Sequence, residues 1–188
     1  MFKKLVLLSL TLCLLSSAQS PVKLRQTRLS ANVSVGVPAE FREMNEDEIV
    51  SKYRTLQRSL GLYTEQRGAA DFGVTIKEID DTEWSENDLP MLENFYKANV
   101  MENYSQVKFL QQGRRVVNGK EVIFLEFVGQ IASENAYGNA VTGRYHFMQY
   151  AILEGNIVIF NFNCPSRLRT KWQQTAQAIM DSIKLSAS

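Results

Sequence analysis

The stretch RRVVNGKEVIFLEFVGQI, residues 114–131, limits the possible folds more than any other part of the chain. Asn118-Gly119 lies between two runs of β-forming residues. Such a dipeptide accepts the positive backbone angles of a two-residue type I′ turn, so a hairpin is predicted here. In its second arm Ile123, Leu125 and Phe127 point to one side, and Val122, Phe124 and Val128 to the other. A sheet with one wet face alternates apolar and polar residues more strictly. Both sides of this hairpin therefore need a cover.

A second hairpin, HFMQYAILEGNIVIFNF (residues 146–162), repeats the pattern. Read as turning at Gly155-Asn156, it sets Leu153 opposite Val158, Ala151 opposite Phe160, Gln149 opposite Phe162 and Phe147 opposite Cys164. The other face pairs Ile152 with Ile159, Tyr150 with Asn161 and Met148 with Asn163. Again both faces are apolar near the turn. The fold class expected is α+β: a central antiparallel sheet with helices packed on both faces, an α/β/α sandwich.

Helical spacing supplies the covers. Leu168, Trp172, Ala176, Ile179 and Ile183 recur every three or four residues. Leu89, Leu92, Tyr96 and Val100 do the same, with Pro90 suited to a first helical turn. A further helix is predicted from Asn45, whose capping box with Glu48 opens a stripe of Ile49, Tyr53, Leu56 and Leu60, with Gly61 as the left-handed stop. Val33, Val35 and Val37 alternate as a strand ended by Pro38, and two more strands flank Gly68. The stretches DDTEWSENDLP and ASENAYGNAVTG read as loops, the first without the ligand spacing of a calcium loop.

The chain opens MFKKLVLLSLTLCLLSSAQS. A basic start, a short apolar run and small residues before a cut after Ala18 make the plan of a secretory signal peptide. Residues 1–18 are thus read as a signal peptide, 19–30 as a flexible mature N-terminus and 31–188 as one domain. The expected destination is the periplasm or the exterior. The apolar run is shorter than the roughly 20 residues of a membrane span. Cys13 sits inside that run after a leucine, which argues against lipid attachment. Cleavage takes Lys3 and Lys4 from 21 basic residues and none of the 20 acidic ones, leaving a net charge of −1. Such balance excludes the basic stripe of a nucleic-acid binder.

Catalytic and metal-binding patterns are missing from the sequence. One histidine and one cysteine beyond residue 18 leave no zinc or redox motif, and no cofactor or metal is expected. GNAVTGRY has the glycines of a phosphate loop but Arg144 and Tyr145 where Lys and Ser or Thr are required. Cys164 precedes Pro165 near a helix start, yet the register puts it on the face opposite His146, so no Cys–His pair forms. His146, Tyr150, Asn161 and Asn163 share one face, away from the hairpin turn, as a polar pocket, a partner contact or a bare strand end. Trp84 and Tyr137, in polar loops, are candidates for an exposed contact patch.

Three stretches, VSVGVPAEFREMNEDEIVSKY, VVNGKEVIFLEF and NIVIFNFNCPSRLRTKWQQTAQAIMDSIKL, resemble the PsbP-like superfamily, which takes in PsbP, the Ran-binding Mog proteins and exported bacterial DcrB-like proteins. The resemblance spans Val33 to Leu185 and implies a central antiparallel sheet between helices. It carries over no catalytic residues and implies a binding or accessory role. The signal peptide favours the exported bacterial branch. The function expected is a non-enzymatic accessory protein of the bacterial envelope that binds an unknown protein partner. The alternative is a small-ligand or lipid carrier with a cleft between helix and sheet; a small hydrolase is the last choice.

Overall fold

The computed structural model describes residues 22–53, 59–78, 84–135 and 138–186. Residues 1–18, with Cys13, and Tyr137 lie outside them. Strands β1 (Leu24–Arg28), β2 (Val33–Pro38) and β3 (Phe41–Glu43) come first, followed by helix α1 (Glu46–Tyr53). Strands β4 (Ser59–Glu65) and β5 (Asp71–Lys77) precede α2 (Leu89–Asn103). Then come β6 (Gln106–Val117), β7 (Lys120–Asn135), β8 (Gly138–Leu153), β9 (Asn156–Pro165), α3 (Arg169–Asp181) and β10 (Lys184–Leu185). One sheet has seven strands in the order β3-β4-β5-β9-β8-β7-β6; a second has three, β1-β2-β10. Every pairing is antiparallel.

The Asn118-Gly119 turn stands as expected, with φ of 48° and 85° and Val117 opposite Lys120. The second turn sits one residue earlier than predicted. Glu154 and Gly155 carry the positive φ angles, 51° and 74°, and Leu153 faces Asn156. The glycine takes the second turn position, as in the first hairpin. Pairing thus slides by two residues, to Ala151 with Val158 and Phe147 with Phe162. A slide of two leaves each side chain on its predicted face.

Both faces of the large sheet are covered. On one, Trp172, Ala176, Ile179 and Met180 of α3 and the valines of β2 bury against Phe72, Val74, Phe147, Phe160 and Phe162. The small sheet therefore shares the cover with α3. On the other face, Leu89, Leu92, Tyr96 and Val100 of α2 bury against Ile123, Leu125, Phe127, Tyr150 and Ile157. Trp84 packs half-buried on this second core as a lid, its backbone N–H donating to the Gly155 carbonyl at 3.2 Å.

Three expectations need correction. Leu24–Arg28 is not loose but pairs along β2, because half-buried Leu24 packs on the first core. Helix α1 ends its described length at Tyr53, and Leu60 and Gly61 belong to β4, where a register shift lies between Ser59 and Gly61. The capping box itself forms: Asn45 Oδ1 accepts from the Glu48 N–H at 2.9 Å, and Glu48 Oε2 from the Asn45 N–H at 3.1 Å. Finally, the small-residue loop at 132–143 is ladder on either side of residues 136–137, with Asn135 facing Gly138.

Candidate functional site

Helix α2 covers only the β6–β8 side of its face of the large sheet. Rows of residues that share this face can be followed from strand to strand through the pairing register. One row runs Thr64, Asp71, Asn163, His146, Phe127. The next runs Leu62, Gly73, Asn161, Met148, Leu125, and a third Ser59, Thr75, Ile159, Tyr150, Ile123. Arg144 stands one row beyond His146, opposite Pro165 and Gly129. The β7 members of these rows, and Tyr150 of the third, are roofed by α2. The members on β5 and β9, with His146 and Met148 of β8, form the floor of a groove between α1 and α2.

The groove has two hollows that meet at Tyr53 and Asn161. One, about 470 Å³, is polar and includes Lys52, Asp71, Tyr104, Arg144, His146 and Asn163 in its lining. The other, about 330 Å³, is lined by Ser59, Leu62, Gly73, Thr75, Met148 and Ile159 besides the shared pair. The gradient from polar to apolar follows directly from the order of rows along the strands.

At the polar end His146 is 7% exposed. Its ring stacks on Phe127 with centroids 5.0 Å apart. Nε2 lies 2.8 Å from the Tyr104 hydroxyl and Nδ1 lies 3.4 Å from Asn161 Oδ1. An amide oxygen can only accept, so Nδ1 carries the proton and Nε2 accepts from Tyr104. Burial pushes the imidazole pKa down to about 4. Tyr104 follows the last turn of α2, and its ring lies directly on the Gly129 backbone, where a β-carbon has no room. Glycine at 129 thus lets the tyrosine reach the histidine.

Lys52 Nζ pairs with Asp71 Oδ1 at 2.6 Å and donates to Thr64 Oγ1 at 3.2 Å. The Thr64 hydroxyl donates to the same Asp71 oxygen at 2.7 Å. Arg144 donates to Asn163 Oδ1, and among the described residues no carboxylate pairs with it. Tyr53 hydrogen-bonds Asn163, and burial pushes its phenol up to about 12.

Of the sequence candidates, His146, Asn161 and Asn163 meet in this groove. Tyr150 does not: it stacks on Tyr96 at 3.9 Å inside the α2 core. Trp84 is the lid described above, and Tyr137 is outside the described residues. Cys164 is fully buried opposite Tyr145 on the α3 side, and burial pushes its thiol up to about 11. The sequence reading missed Arg144, Lys52, Asp71 and Tyr104. Alternation alone points to Arg144, two residues before His146 on the same strand. Lys52 and Tyr104 meet the site through tertiary packing, which local pattern does not carry.

Glu126, 1% exposed on the opposite face, accepts from Tyr145 at 3.0 Å and from Gln173 at 2.6 Å. It is a satisfied core carboxyl that ties β7 to α3. Among the described residues no three His, Cys, Asp or Glu side chains converge as metal ligands, and no helix is long and apolar enough to cross a membrane.

No family model matches the sequence, and no curated protein matches it. Solved structures do. Cyanobacterial PsbP (CyanoP) of Synechocystis superposes with a TM-score of 0.60 at 10% identity, over 90% of this chain and 96% of its own. LpqN of Mycobacterium tuberculosis, described as involved in cell envelope biogenesis, gives 0.54 at 10% identity, over 88% and 91%. The Ran-binding protein Mog1p of Saccharomyces cerevisiae gives 0.52 at 12% identity, over 88% and 97%. At such identities the likeness is one of fold. The large antiparallel sheet, the helix on each face and these three neighbours together give the chain the PsbP-like fold that its sequence resembled.

Proposed function

We propose that this chain is an exported, non-enzymatic accessory protein of a bacterial envelope, and that it works by binding a small ligand in the groove between α1, α2 and the sheet. The observation that carries the reading is the half-roofed face: a concave floor graded from charged to apolar, with buried polar groups at one end. Ligand sites are typically concave, with a few placed polar groups in an apolar lining. The polar groups here hold one another by hydrogen bonds: both ring nitrogens of His146 are engaged, by the Tyr104 hydroxyl and the Asn161 amide, which supports binding over catalysis. Native mass spectrometry of protein purified from the periplasm of its own host tests this. A co-purified small molecule that Met148→Asp removes is the expected result. A bare protein, with no ligand taken up from a host extract, overturns it.

A protein partner is the second reading, favoured by a different surface. Met91, Phe95 and Met101 of α2 point away from its core and are 51–59% exposed. A globular helix of this kind normally turns polar residues to water. The description of one neighbour, Ran binding, agrees with a fold put to use in binding, and that of another, envelope biogenesis, with an envelope setting. Phe95→Glu should abolish recovery of a specific partner from envelope extracts while leaving ligand uptake intact.

A further inference from the structure

We propose that the groove takes a single-headed anionic amphipath: a carboxylate or phosphate-type head on Arg144, with an apolar chain lying on the floor toward Ile159. The proposal rests on the groove being the binding site and names the chemistry it selects.

The first argument is charge. Among the described residues, Lys52, Asp71, Arg144 and His146 are the ionisable groups lining the polar end apart from the phenols of Tyr53 and Tyr104. Lys52 and Asp71 neutralise each other at 2.6 Å. His146 is uncharged at ordinary pH. Both phenols are neutral there, burial having raised their pKa values. Among the described residues Arg144 is left as one unbalanced positive charge. Its guanidinium has five N–H donors in a planar fork suited to a two-oxygen anion, and Asn163 takes one bond. A partly buried cation is best balanced by an anion that arrives with the ligand, because the low surrounding polarity strengthens the pair.

The second argument is shape. From Asn163 to Ile159 the floor descends four residues along β9, about 13 Å at ~3.3 Å per residue. Over that length it changes from Asn163 and Asn161 to Ile159, flanked by Met148 and Leu62. Leu62 lies across Gly73, where a β-carbon would meet its Cδ2 at 2.7 Å, so the leucine itself forms the apolar surface there. One charged head and one medium-length chain match two joined hollows of opposite character.

Calorimetric titration below micelle-forming concentrations tests the proposal. The probes are dodecanoate, dodecyl phosphate, dodecyl maltoside, dodecyltrimethylammonium and inorganic phosphate. The two anionic chains should bind about tenfold tighter than the neutral one, the scale of one charge-assisted contact. Arg144→Gln should erase that preference and Arg144→Lys should keep most of it, both variants retaining the parent's thermal unfolding. Met148→Asp should weaken all the chain-bearing probes together. Equal binding of neutral, cationic and anionic chains, or a preference unchanged by Arg144→Gln, overturns the anionic head. Inorganic phosphate binding as tightly as dodecyl phosphate overturns the chain. If no dodecyl compound binds below its own micelle-forming concentration, the amphipath is wrong, and the groove reading is then decided by its own ligand search.

Discussion

His146 is held neutral by its surroundings, and this has a measurable cost in acid. The unfolded chain takes up a proton near the ordinary imidazole value of 6.5, the native state only at about 4. Between those values the unfolded state binds more protons, so stability is complete above pH 6.5 and falls as pH drops to 4. The whole effect is about 3 kcal/mol, from a shift worth ~1.4 kcal/mol per unit. Urea titrations at pH 7 and pH 4.5 should show a smaller loss for His146→Gln than for the parent. Other groups titrate in acid too, among them Glu48, lowered to about 2 mainly by its hydrogen bond from Arg42. The difference between the two proteins isolates the histidine. At this scale the sequence was partly legible. Alternation put His146, Asn161 and Asn163 on one face, but it put Tyr150 there as well, and only α2 decides that Tyr150 is roofed while His146 faces the groove.

Among the elements, the Asn118-Gly119 hairpin does more than reverse the chain. Asn118 Nδ2 donates to the Ile183 carbonyl at 2.7 Å and to the Asp181 carbonyl at 3.2 Å, so the turn also caps the end of α3. Asn118→Asp keeps a residue tolerant of positive φ but removes the donor. It should cost about 1–2 kcal/mol in a urea titration, as two hydrogen bonds to backbone carbonyls are lost. Asn118→Ala should cost more, because alanine also strains the left-handed turn position. The hairpin, α2 and α3 were readable because their signals are local: a dipeptide, and apolar residues three or four apart. The second turn was misplaced by one residue because Gly155-Asn156 and Glu154-Gly155 both hold a glycine. Ladder pairing selected the second, with glycine last. Strand β1 was missed for a related reason: a polar edge strand with a single half-buried leucine lacks the alternation that marks a strand.

For the molecule as a whole, one sheet serves two cores, and the two tryptophans report on them separately. Trp84 lies over the α2 core. Trp172 is 1% exposed in the α3 core, edge-on to Phe41 at 5.6 Å. Fluorescence of Trp84→Phe and Trp172→Phe variants should each show a single unfolding transition, with matching slopes against urea, because neither core can survive loss of the strands between them. Trp172→Ala should destabilise by about 3–5 kcal/mol. It should do so equally when the signal comes from Trp84. Two separate transitions would show that each face folds on its own. The layered architecture was legible because apolar residues on both sides of each central hairpin demand two covers. That β2 would share one cover with α3 was not, since alternating valines do not say which sheet they join.

The position of β9 has a consequence for how the chain is made. It lies between β5 and β8, so β3-β4-β5 and β6-β7-β8 meet only through residues 156–165. Roughly 80 residues separate the end of β5 from the start of β9, on the order of 4–16 s of synthesis at ~5–20 residues per second. Throughout that interval the β3-β4-β5 half-sheet waits with its inner border unpaired, and the β6-β7-β8 half-sheet is completed only as Leu153 is added. The keystone arrives late, and until it does the waiting border can be claimed by the wrong neighbour.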